Sequence, residues 1–177
     1  VFTNHQGISN LRTTAKTKQF ENIFLDLQKN AYALYFLDLA DHAFVDYEPV
    51  GTTFELIFSV LNLLNDGTNP DVLLALTQLQ MLPVFGVGPE LKECLICHKT
   101  QGIFDYSIEL GGVICSDHFK EVTTRMYLKP KTTALIRTLG LIDVQKVGSI
   151  NLSPELVKST LKAIDQIYQQ TLDLNLK

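Results

Sequence analysis

All three cysteines of the chain fall between residues 94 and 115, as Cys94-x-x-Cys97 and Cys115, and His118 follows Cys115 at the same interval. Residues 98–114 form the loop between the two pairs, and no other stretch limits the possible folds so sharply. Two ligands three positions apart sit on one tight turn with both donor atoms pointing inward, and two such turns face to face complete a tetrahedron. Three thiolates and an imidazole suit zinc better than a hard cation. Four protein ligands leave no open position for water or substrate, so the expected Zn2+ is structural. Cys94, Cys97, Cys115 and His118 are its predicted ligands. The loop supports this: Gly102–Ser107 reads as a strand, Gly112–Cys115 as its return, and Leu110-Gly111-Gly112 as the turn. The second pair would sit where the hairpin gives way to a helix from about Asp117 to Tyr127, as in a zinc ribbon or treble clef.

Competing uses of the cluster fit less well. An odd cysteine count is a poor disulfide framework. A redox Cys-x-x-Cys needs a thioredoxin-like setting. A zinc deaminase needs His-x-Glu, which none of the four histidines provides. His98 is an alternative fourth ligand, but its place beside Cys97 makes simultaneous coordination awkward.

The rest of the chain reads as helices. From about Thr14 to Phe44 apolar residues recur at three- and four-residue steps (Phe20, Ile23, Phe24, Leu27, Ala31, Leu34, Leu37). Around Ala31–Leu37 the pattern is apolar on every side, which predicts a helix at the centre of a bundle. Pro49 and Gly51 break it. A second helix should begin at a Thr52 or Thr53 cap and stop at Asn65-Asp66-Gly67. Asn69-Pro70-Asp71 starts a third, with Val72, Leu73, Leu76, Leu79 and Leu82 inward. Lys129-Pro130 opens a short helix closed by Gly140, and Ser153-Pro154-Glu155 opens the last, with Val157, Leu161, Ile164, Tyr168 and Leu172 on one face. The predicted fold is mainly α, a helical bundle with an inserted zinc-binding β-hairpin. The division is 1–13 as a remnant or linker, 14–90 and 119–177 as helical domain, and 91–118 as the insertion.

Charge is uneven beneath a net −4. Residues 21–90 carry ten acids against Lys29 alone, whereas residues 1–20 hold Arg12, Lys16 and Lys18 and no acid. Arg125, Lys129, Lys131 and Arg137 follow the cysteine segment. Local positive faces of this kind, not the mean charge, decide whether phosphates are met. No catalytic motif is present, neither Gly-x-x-x-x-Gly-Lys, nor Gly-x-Ser-x-Gly, nor His-Glu-x-x-His. Asp38 and Asp41 on the first helix read as a solvated face, and Tyr32, Tyr35 and Phe36 as core. The longest apolar run, Ala31–Leu37, is far short of the roughly 18 residues a membrane span needs. No export leader opens the chain, and a start at Val1 reads as a piece of something longer. A non-enzymatic, cytoplasmic protein is the expectation.

Taken in order, these segments resemble the RecO family of bacterial DNA-repair proteins. The likeness lies in Asn30-Ala-Tyr-Ala-Leu-Tyr-Phe-Leu-Asp-Leu-Ala40, then Glu48-Pro49 and the Leu/Phe-rich helix, then Gly88-Pro89-Glu-Leu-x-x-Cys94-Leu-Ile-Cys97, and Gly111-Gly112-Val-Ile-Cys115. It covers most of residues 14–140. The resemblance implies an N-terminal OB-fold, here largely absent, a helical domain and an inserted zinc module. It further implies a nucleoid-associated recombination mediator that binds single- and double-stranded DNA and anneals single strands. Such a mediator works with RecR and the single-stranded-DNA-binding protein to load RecA. The DNA-contacting candidates are Arg12, Lys16, Lys18, Arg125, Lys129, Lys131 and Arg137. Two departures stand out: His118 where many members have cysteine, and His98 where glycine is usual. The competing expectation is a zinc-containing adaptor that binds only protein.

Overall fold

The computed structural model describes residues 2–3, 10–11, 13, 17–44, 49–149 and 152–172. Near the start, strands β1 (Phe2–Thr3) and β2 (Asn10–Leu11) pair antiparallel. Six helices follow among the described residues: α1 (Glu21–Phe24), α2 (Leu27–Asp41), α3 (Thr52–Asn65), α4 (Pro70–Met81), α5 (Pro130–Leu141) and α6 (Pro154–Thr171). Between α4 and α5 lies the antiparallel hairpin of β3 (Phe104–Ser107) and β4 (Gly112–Cys115). The molecule is therefore mainly helical with one small inserted sheet, as its sequence implied.

Helix α4 is the centre of the body. Its cap and first turn are as expected: the Asn69 carboxamide oxygen accepts from the Asp71 and Val72 amides, with Pro70 at the first helical position. It packs against α2, α3, α5 and α6, and Val72, Leu73, Leu76, Leu79 and the following Leu82 are all buried. Gln80 ties it to α5 by donating to the Leu139 and Ile142 carbonyls at 3.0 and 2.8 Å. The Tyr168 hydroxyl of α6 donates to the Gln78 carbonyl at 2.7 Å. Helix α6 starts on its Ser153 cap and lays Val157, Ile164 and Tyr168 into the core, with Leu161 and Leu172 half-buried. Helix α3 ends in a Schellman closure: Gly67, at φ +94°, donates to Leu64, and Thr68 donates to Leu63.

Several expectations are corrected. The first helical segment is two helices, because the Asp26 carboxylate caps the Gln28 and Lys29 amides and restarts the chain there. The second of these ends at Asp41, short of Phe44. It is not the central helix: only Ala33, Phe36 and Leu39 of α2 are buried, while Leu27 and Leu34 are 89% and 61% exposed. Helix α3 has Gly51 as its cap residue and Thr52 inside it, with no side-chain cap. Gly140 does not end α5, which continues to Leu141. A methyl group on Gly140 would lie 2.3 Å from a Leu91 methyl, so this glycine exists for close packing. The helix expected from Asp117 to Tyr127 is absent. A 3₁₀ turn spans Ser116–His118, and the chain then runs back along β3, with a bridge from Ser107 to Arg125 and a bond from the Met126 amide to the Tyr106 carbonyl at 2.7 Å.

Candidate metal centre

The ligand turn of Cys94 and Cys97 is closed by its own backbone. The Cys94 amide donates to the Lys99 carbonyl and the His98 amide to the Cys94 carbonyl, both at 2.9 Å. This closure puts His98 at φ +59°, in the left-handed region that costs a branched-side-chain residue most and glycine nothing. The turn is also stitched to the hairpin: the Leu95 amide donates to Val113, and the Val113 amide to Glu90. Gly112 lets that segment come close, since a Cβ there would meet the Glu90 carbonyl oxygen at 2.6 Å. Cys115 ends β4, and His118 closes the 3₁₀ turn that follows.

These elements bring Cys94, Cys97, Cys115 and His118 together, with one donor atom from each lying within 4.8 Å of the others. The sulfurs of Cys97 and Cys115 are 3.6 Å apart, and His118 Nδ1 lies 3.4 Å from Cys115 Sγ and 3.9 Å from Cys94 Sγ. A tetrahedral centre with metal–sulfur bonds of about 2.3 Å has edges of roughly 3.7 Å, so the donor set fits one small divalent ion. The three thiols are free, with Cys94 and Cys115 buried and Cys97 exposed. Cys3His could hold a metal ion as it stands.

The thiols differ electrostatically. Burial pushes against ionisation of Cys94, yet amide donors from Cys115, Cys97 and Ile96 outweigh it and bring that thiol down to about 6. Cys115 is pushed up to about 11, by burial first and then by the neighbouring sulfurs of Cys97 and Cys94. An ion pair from Lys99 to Asp117 at 2.9 Å joins the first ligand turn to the second. His98 does not belong to the cluster: its ring is 2.7 Å from the Glu93 carboxylate and its side chain 73% exposed.

Two of the basic candidates, Arg125 and Arg137, already have partners within the fold. The Arg125 guanidinium lies between the rings of Phe119 and Tyr127, 4.4 and 4.1 Å from their centres, and pairs with buried Asp105 at 2.9 Å. Asp105 also accepts from the Tyr106 and Leu128 amides. Arg137 donates to three backbone carbonyls and covers the Phe104 ring. Lys18 bonds to Asn62 on α3 and sits 5.6 Å from the Phe20 ring centre. Lys129 and Lys131 are exposed at the start of α5, and Arg12 and Lys16 lie outside the described residues. Sequence reasoning missed Asp105. Its signal was available: an acid between the aromatic residues Phe104 and Tyr106 of a strand needs a partner once the strand is buried.

Against known proteins, residues 25–177 match the family model described as recombination protein O C terminal. A DNA repair protein RecO from Lactobacillus helveticus is 48% identical over 177 residues, all of this chain and 71% of that protein. The RecO of Lactobacillus acidophilus is 49% identical over the same length. That of Limosilactobacillus fermentum is 33% identical over 172 residues, covering 63% of its length. The chain belongs to the RecO family. Its relatives carry the name of DNA repair proteins, so the family expectation from the cysteine segment and its flanking helices is met. No helix among the described residues is long and apolar enough to cross a membrane.

Proposed function

We propose that this chain is part of a RecO-type recombination mediator that binds DNA through backbone phosphates and anneals single strands. It would cooperate with RecR and the single-stranded-DNA-binding protein to load RecA, breaking no covalent bond. Zn2+ held by Cys94, Cys97, Cys115 and His118 fixes the hairpin to the helical body. Membership of a family of DNA repair proteins carries this reading.

The placement of two lysines supports it further. Lys129 and Lys131 flank the start of α5, which has no side-chain cap and carries the positive end of the helix dipole. Beside them a crevice of about 260 Å³ runs between Gly102–Phe104 of the hairpin and Pro130–Arg137 of α5. Phosphates would be met there by charge, with Lys18, Arg12 and Lys16 as further candidates, while the acidic segment 21–90 faces away from DNA. One observation favours the adaptor reading instead: Phe24 of α1, Leu25 just after it, Leu27 of α2 and Phe54 of α3 are apolar and more than 60% exposed.

A titration with fluorescent single-stranded DNA at two salt concentrations separates the readings. The mediator predicts weak binding that falls with salt at a logarithmic slope of roughly 0.7 per phosphate contacted. In that case Lys129→Glu with Lys131→Glu lowers the slope by about 1.4. Nanomolar binding indifferent to salt overturns the electrostatic picture, and absence of DNA binding leaves the adaptor.

A further inference from the structure

Arg137 sits in the middle of α5, yet every polar contact it makes is to the metal hairpin and its approach. Its Nε donates to the Leu91 carbonyl at 2.8 Å, and its Nη2 to the Lys92 and Thr100 carbonyls at 2.8 and 2.9 Å. Leu91 and Lys92 lead into the turn that bears Cys94 and Cys97, and Thr100 leads out of it. One guanidinium thus grips both ends of the first ligand turn. Its plane also covers Phe104, 4.0 Å from the ring centre, and Phe104 is the cross-strand partner of Cys115. The same side chain therefore reaches the strand pair that carries the second ligand turn.

We infer that Arg137 is a positioning residue for the metal centre, holding the two ligand turns in register so that all four donors are gathered before an ion binds. The inference rests on the Cys3His reading above. A preorganised donor set binds more tightly because the ordering of its turns is already complete in the free protein. Groups that orient ligands without touching the metal typically govern 10–100-fold in affinity. Arginine suits this place for a geometric reason: a planar fork spans carbonyls at two chain levels and stacks on a ring, whereas an ammonium is one point charge. An Arg137 that merely glued the hairpin to the body would act on the stability of the whole chain and leave metal affinity alone.

The test uses chelator competition for Zn2+ on the full chain, with the Co2+ spectrum as a second readout and thermal melting of the chelated form as control. Wild type should take up one ion, and a chain that takes none overturns the metal reading itself, before any variant is compared. Given uptake, Arg137→Lys should lose roughly 10–100-fold in affinity and show an altered or broadened cobalt band. Tyr168→Phe, which removes the bond to Gln78, should lower the melting temperature but keep wild-type affinity. If Arg137→Lys does not fold, Phe104→Leu, which removes the stacking platform, should shift affinity in the same direction by a smaller factor. Affinity within twofold of wild type in the folded variants overturns the inference.

Discussion

Asp105 is the one carboxylic acid buried among the described residues, 1% exposed in β3. Its carboxylate is held by Arg125 and two backbone amides, so removing it strands a guanidinium and the Leu128 amide together. Asp105→Ala should therefore destabilise the chain by about 3 kcal/mol in urea unfolding, far more than an exposed ion pair would. A loss below about 1 kcal/mol would contradict this. The thiols make a second prediction. A metal needs thiolates, so protons compete with it. Cys94, down at about 6, is already ionised at neutral pH, whereas Cys115, up at about 11, must give up its proton to bind. Affinity should rise with pH between 7 and 8, roughly tenfold per unit for each proton released, and collapse below about pH 6 as Cys94 also protonates. Chelator competition across that range reads it, and a flat profile between 7 and 8 would refute it. At this scale the gathering of Cys94, Cys97, Cys115 and His118 was legible because metal chemistry dictates such a spacing. The engagement of Arg125 and Arg137 was not, since a basic side chain near a presumed interface looks the same in sequence whether it faces phosphate or a buried partner.

Helices tell a similar story of local signals read well and tertiary ones read poorly. Caps such as Asn69 and Ser153 act within three residues and were visible as such. The centre of the bundle was assigned to α2 from its unbroken apolar run, but burial belongs to α4, which has helices on four sides. Apolar composition does not say whether a face is covered. The segment after His118 looked helical from its charges, yet its chain is recruited by β3 through the Tyr106 carbonyl and the Asp105 carboxylate, partners about 20 residues upstream. Gly140 gives the sharpest test here. Alanine in place of a helical glycine normally stabilises, by up to about 1 kcal/mol. In α5 the added methyl meets Leu91 at 2.3 Å, so Gly140→Ala should instead destabilise by about 1–3 kcal/mol. Thermal melting or urea unfolding decides the sign, and a stabilised variant would show that Leu91 moves aside freely.

In the whole molecule, a helical body and a small hairpin meet along α5. Arg137, the Leu91–Gly140 contact and the Arg125–Asp105 pair all lie on or near that seam. The hairpin has only two four-residue strands, too little sheet to hold itself together in water. A metal held between the two turns of Cys94–Cys97 and Cys115–His118 would supply what the sheet lacks, and the surface proposed for DNA is built on that same seam. The proposed join of hairpin to helical body therefore depends on the ion. The direct measurement is the melting temperature of the purified chain before and after chelation, with zinc content determined on the same sample. One zinc per chain, and a midpoint that falls by roughly 10 °C on its removal, is the predicted result, from 2–4 °C per kcal/mol for a chain of this size and a few kcal/mol of binding energy lost. A metal-free preparation, or a midpoint unmoved by chelation, would contradict it.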